Sequence, residues 1–261
     1  MRSVACKGDE TRWRSRGPAR WRASSDGSCC VVVYGERAGI ERLRRFAVQR
    51  RAEAILFAGG ILSPARQVVP RSSPWGLTPE DERFVHEFLE SLGELGTFCA
   101  VIPGPNFQPM DEFYRLGIAG ELEFPNVHVA HATLLEERDV AICGLGVTLS
   151  EETLMREDCY SRVRANFFLR PLRTSTKPRK ILLLPEPPPG AVGWPEGNIL
   201  IGEIIDGLRP SLCVVAGKTD RRGVQRIAST LVVNPGTLAD GSAAWLDWNQ
   251  RSDDQVEYLE D

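Results

Sequence analysis

Apolar residues along this chain come in short dense runs, each closed by Gly or Pro, with amphipathic stretches between them. Cys30-Val-Val-Val-Tyr34 and Ala54-Ile-Leu-Phe-Ala58 are strand-length and show no alternation, the pattern of strands buried on both faces. Between them, Ile40 to Arg51 places Leu43, Phe46 and Ala47 at helical spacing. This strand–helix–strand spacing predicts a right-handed βαβ unit and a parallel pair. Residues 62–76 hold several Pro and Ser residues and read as a loop. Thr78-Pro-Glu-Asp then opens a helix to about Leu92, because Thr can cap and Pro suits a first turn. Phe84, Val85, Phe88 and Leu89 form its apolar face.

The same grammar continues to the C-terminus. Thr97 to Ile102 is a predicted strand closed by Pro103-Gly-Pro105, and Met110 to Leu116 a short helix. Val127-His-Val-Ala-His131 and Asp139-Val-Ala-Ile-Cys-Gly144 read as strands, and 150–170 as a polar helical stretch. Then come strand 181–184, a Pro-rich loop 185–196, a helix at about 198–208, and strands 211–216 and 230–233. Trp245-Leu-Asp-Trp248 is the last strand expected before an acidic tail. Parallel-type strands dominate the first part and hairpin-like strands the second. The expected fold class is α/β, a two-sheet α/β/β/α sandwich. One domain is expected over residues 29–250, with 251–261 as the acidic tail. Residues 1–28 carry six Arg and one Lys against three acids, with no periodic apolar face. That excludes a secretory signal and reads as a disordered basic leader, or as a start assigned too far upstream.

Composition narrows the function classes. A net charge of −3 disfavours nucleic-acid binding by bulk electrostatics. No run reaches the ~20 apolar residues of a membrane span, so no membrane partner is expected. The seven cysteines are odd in number and several lie inside apolar runs, as in Phe98-Cys-Ala-Val-Ile. Free, buried thiols in a reducing compartment follow, hence an expected cytoplasmic location. No Cys-x-x-Cys spacing occurs, which argues against a zinc ribbon.

Five runs end at Gly or Pro loops in a fixed order: Ile55-Leu-Phe-Ala-Gly-Gly60, Val101-Ile-Pro-Gly-Pro-Asn106, Ile181-Leu-Leu-Leu-Pro-Glu-Pro-Pro188, Val214-Val-Ala-Gly-Lys-Thr-Asp220 and Val232-Val-Asn-Pro-Gly236. Strand ends are where α/β proteins place their chemistry. In order and spacing these loops resemble the calcineurin-like metallophosphoesterase superfamily from about Val31 to Trp248, nearest to a divergent bacterial branch. Pro103-Gly-Pro105, Ala216-Gly-Lys218 and Asn234-Pro-Gly236 carry that likeness. The resemblance implies a dinuclear metal site built from Asp, Asn and His at five motifs. Position by position those ligands are missing. The first motif falls on Gly35-Glu-Arg37-Ala-Gly39, and the bridging Asp of the second on Gly60. The Gly-Asn-His of the third falls on Gly104-Pro105-Asn106, the His of the fourth on Pro185, and the Gly-His-x-His of the fifth on Gly217-Lys218-Thr219-Asp220. A two-metal centre clamps phosphate between cations and generates a hydroxide, and needs oxygen or imidazole donors. Gly and Pro side chains supply none.

The expected function is therefore a catalytically degenerate member, with a cleft that binds a phosphate-bearing small molecule or serves as a scaffold for a protein partner. Arg37 and Lys218 are the candidate anion-binding residues, with Asn106 adding a hydrogen bond. No cofactor is expected. The alternative is an active phosphoesterase with a rebuilt site holding Mn, Mg or Ca through Asp220 and Glu186, with Asn106 nearby. Glu36 and Asp111 are the other acids near the cleft, and read as surface charges. His128 and His131, three apart on a strand, fall on opposite faces, so joint metal ligation is disfavoured. His86 is expected on a helix surface. Gly144-Leu-Gly146 lacks the third Gly of a dinucleotide fingerprint, and Ser150 reads as a helix start.

Overall fold

The computed structural model describes residues 28–33, 39–62, 77–105, 107, 110–151, 159–193, 197–217, 221–248 and 255–259. The first half is strand and helix in alternation: β1 (Ser28–Val33), α1 (Ile40–Arg50), β2 (Ala54–Phe57), α2 (Pro79–Gly93), β3 (Phe98–Val101), α3 (Met110–Glu123) and β4 (Val127–Val129). Strands β1 to β4 pair in parallel and in chain order, as the βαβ spacing predicts. The Thr78 cap forms a full capping box, its hydroxyl accepting from Asp81 N–H at 3.2 Å.

The second half contributes β5 (Leu135–Glu137), β6 (Val140–Gly144), β7 (Thr148–Leu149), β8 (Cys159–Tyr160), α4 (Arg162–Phe168), α5 (Arg170–Thr174) and β9 (Arg179–Leu184). It closes with α6 (Ile199–Leu208), β10 (Leu212–Val215), β11 (Gly223–Ile227), β12 (Thr230–Asn234), β13 (Ala244–Trp248) and β14 (Gln255–Tyr258). One six-stranded sheet runs β14-β13-β1-β2-β3-β4 and the other β11-β12-β10-β9-β6-β5, with β7-β8 as a small third ribbon.

The layers follow from strand periodicity. Leu56, Ala100, Ile142, Ile181, Leu183, Val214, Val233 and Leu246 come from both large sheets yet form one buried cluster, the core between two facing sheets. The alternate residues Ile55, Phe57, Cys99 and Val101, and Leu182, Leu184 and Cys213, pack outward with the helices. Phe57 meets Phe88 of α2 edge-on at 4.9 Å. This is the expected α/β/β/α sandwich.

Three sequence expectations change. Strands β6, β9, β10 and β12 pair in parallel, with antiparallel β5 and β11 only at the edges, where the sequence suggests that hairpin-like strands dominate. Helix α3 continues through Gly117 and Gly120 to Glu123 instead of stopping at Leu116. Within the expected acidic tail, residues 255–258 form β14, antiparallel to β13, with Arg50 and Glu257 paired at 2.7 Å.

Among the described residues, Cys99, Cys143 and Cys213 are free and buried and Cys159 is free and half-buried. Burial raises the Cys143 thiol to about 12 and holds Cys99 and Cys213 far above the usual thiol range. These thiols are inert core residues. No described helix is long and apolar enough to cross a membrane.

Candidate functional site

The carboxyl ends of β2, β3, β9, β10 and β12 gather the glycine and proline loops on one rim of the sandwich, and what touches what there is largely backbone. Gly59 and Gly60 follow β2 with φ of +103° and +83°. Gly60 N–H donates to Pro103 O at 3.1 Å. Gly104 has φ +91°, and a Cβ on it would lie 2.4 Å from Gly60 N. The second and third motif loops therefore meet main chain to main chain, and only glycine fits the contact. The first loop closes against the last, since a Cβ on Gly39 would lie 2.3 Å from Leu238 O.

Asn234, fully buried at the end of β12, organises the opposite side of the rim. Its Nδ2 donates to Val192 O at 3.2 Å and Arg221 O at 2.9 Å, and its Oδ1 accepts from Gly236 N–H at 2.9 Å. One amide thus ties together the loops after β9, β10 and β12. Gly217 lies flat against it, with room for no side chain. The Asn-Pro-Gly run marks this turn in the sequence, but not the bonds that Asn234 sends to two other loops.

A second organising residue is His131, which in the sequence reads only as a polar strand residue. As expected, the two histidines face opposite ways: His128 lies against Phe98 at 4.9 Å, and His131 lies beside Phe113, Tyr114 and Tyr160. His131 forms a parallel bridge with Gly144 that stitches the edge strand of one sheet to the other. Gly146 N–H donates to its Nδ1 at 2.7 Å, so in the neutral ring the proton sits on Nε2. That nitrogen is buried, and among the described residues nothing partners it. Burial lowers the ring's pKa to about 4, so it is neutral near pH 7. Gly146 in turn packs on Pro103, which carries the support to the cleft loop.

Of the residues expected to act in the cleft, Arg37, Asn106, Lys218, Asp220 and Glu36 lie outside the described residues. Glu186 is described, and its Oε2 accepts from Asn198 Nδ2 at 2.8 Å. Asn198 also caps α6 and donates to Leu149 O, so a cation at Glu186 would compete with the Nδ2 donor of the residue that caps α6. Asp111 accepts from Glu112 N–H at the start of α3, and His86 is exposed beside Glu123 at 3.1 Å. Among the described residues no group of three His, Cys, Asp or Glu stands close enough to hold a metal ion. The described positions where the resemblance implies a ligand, Gly60, Pro105 and Pro185, offer no side-chain donor and do not fit a dinuclear centre.

Comparison with known proteins adds the family relation. The sequence profile described as "Metallophosphoesterase, calcineurin superfamily" matches residues 32–257. The crystal structure of TT1561 of Thermus thermophilus is 22% identical, covers 90% of this chain and 99% of its own, and has a TM-score of 0.72. A further crystal structure is 23% identical, covers 90% of this chain and 100% of its own, with a TM-score of 0.74. At these identities the likeness is one of fold. None of the curated proteins compared matches the chain in sequence.

Proposed function

Since the chain belongs to the calcineurin superfamily of metallophosphoesterases, we propose that it keeps the phosphate-shaped cleft of that fold without its metal-dependent hydrolysis, and uses it to bind a phosphate-bearing small molecule. The supporting observation is the contact between the second and third motif loops. At Gly60, where the resemblance places a bridging Asp, the main chain takes a φ of +83° and is pressed against Gly104 of the third loop, and Pro105, at the Asn position of the third motif, has no donor side chain. Pro185 at the fourth motif has no donor either. The family's metals would supply a hydroxide nucleophile and charge neutralisation when bound, but the described donor set does not fit them.

What remains is anion recognition. Arg37 and Lys218 carry fixed positive charge on the first and fifth motif loops, and Asn106 adds an amide to the third. A guanidinium and an ammonium answer a phosphate by charge-assisted hydrogen bonds. Among the described residues, Asn234 braces Gly217 and Arg221, and Gly39 packs on Leu238.

Two measurements test this. Protein expressed with manganese and never exposed to chelator is expected to hold no stoichiometric metal; about two ions per chain would return the molecule to the active enzymes. Pyrophosphate or a nucleotide at about a hundred times its Kd is expected to raise the melting temperature by roughly 5–10 °C. The rise disappears in the Arg37→Ala, Lys218→Ala double variant. A rise that survives the double variant would refute the assignment of those residues.

A further inference from the structure

Outside the cleft, the outer helical layer over the second sheet carries an uncovered surface of a definite chemical kind. Residues 161–180 contain Arg162, Arg164, Arg170, Arg173, Lys177, Arg179 and Lys180 and no acidic residue. The same stretch folds as α4 and α5, continuous through Leu169. On α4, Val163 and Phe167 stand one turn apart and keep 80% and 68% of their surface exposed. Ile199, at the start of the neighbouring α6, is 70% exposed. The two helices are joined there by Arg162, which pairs with Glu203 of α6 and with Glu151.

The arginines around these apolar side chains are held in place. The Arg164 guanidinium lies over the Tyr160 ring at 4.3 Å, and Tyr160 stacks on Phe168 at 5.1 Å. Arg173 donates to Asn166 Oδ1 at 2.9 Å. The two nearby lysines are already used: Lys177 donates to Arg138 O, and Lys180 to Arg173 O. Among the described residues no carboxylate forms a salt bridge with Arg164, Arg170 or Arg173. Among the described residues, Arg162 takes the acids Glu151 and Glu203.

We infer that the α4–α5 face is a docking surface for an acidic protein segment that carries an apolar side chain among its carboxylates. Exposed Phe flanked by Arg is the composition of interface centres. A guanidinium fixed on an aromatic ring presents its outer N–H fork to a carboxylate at a set position, and this pre-ordering is what distinguishes the surface from a lipid-binding one. A fluid anionic bilayer would be met equally well by mobile lysines, yet both lysines here are turned to backbone carbonyls. The inference is independent of what the cleft binds.

A phage-displayed library of random peptides tests it, selected on the full chain and counted against the variants Phe167→Ala and Arg164→Gln. Both substitutions are on the exposed side of α4, and thermal melting confirms that each variant folds. Enriched peptides are expected to place Asp or Glu beside Leu, Phe or Trp, and to lose at least about tenfold in affinity on either variant. Replacing their acids by amides is expected to abolish binding. Peptides that bind both variants as well as the native chain, or that carry no acidic–apolar pattern, would overturn the inference. So would sedimentation of the protein with phosphatidylserine vesicles that is lost in Phe167→Ala, which would assign the face to a membrane surface.

Discussion

His131 shows how one buried ring leaves a thermodynamic signature. Its pKa is lowered to about 4 by desolvation, against about 6.5 in an unfolded chain. Between those values the unfolded chain binds a proton that the folded one refuses. Stability from this residue is therefore complete above about pH 6.5 and is lost as the pH falls towards 4. From about pH 7 to pH 5 the loss comes to about 2 kcal/mol, and His128, lowered by the same cause, adds to it with the same sign. Urea unfolding of His131→Asn is expected to show a shallower decline over that interval than the native chain; equal slopes would remove His131 as the cause. Asn234 belongs to the same scale. Removing its amide in Asn234→Ala leaves two carbonyls and one N–H without their partner, at a cost of about 2–4 kcal/mol. A lowered urea midpoint with an unchanged m-value is the expected result.

Elements were legible in the sequence wherever the pattern was local. The dense runs at β2, β3, β6, β9 and β10 and the capping signal at Thr78 marked elements that the structure contains. What escaped was set by tertiary packing. Gly117 and Gly120 lie beyond the predicted helix end at Leu116, yet α3 runs through them because their bare backbones let it approach β4 and α2. A Cβ at Gly117 would lie 2.5 Å from Val129 Cγ2, and one at Gly120 2.7 Å from Leu89 Cδ1. Gly117→Leu is expected to cost about 1–3 kcal/mol by overpacking. Gly207 on α6 meets nothing within 4 Å, so Gly207→Ala there is expected to gain up to about 1 kcal/mol through helix propensity. Opposite signs in thermal melts check the pair. Strands β5, β11 and β14 escaped for another reason. They are edge strands with one side towards solvent, and their polar residues hide them from a search for apolar runs.

At the scale of the whole molecule, the sandwich was readable because parallel strands covered on both faces must be nearly all apolar, and such runs are hard to mistake. The candidate site was readable only as a set of loops. Their glycines and prolines announced the rim, but not that Asn234 would bind three loops or that His131 would stitch two sheets. Those roles depend on neighbours far away in the chain. The exposed α4–α5 face escaped for the opposite reason. A helix that presents Phe and Val to solvent has the same pattern as one that buries them.

The glycine contact between the second and third loops also limits what single substitutions can add there. An Asp introduced at Gly60 inherits a φ of +83°, and a side chain at Gly104 runs into the main chain of the neighbouring loop. A side chain could therefore enter at either glycine only together with a shift of the loop that faces it, so the two loops are free to change in concert and not one residue at a time.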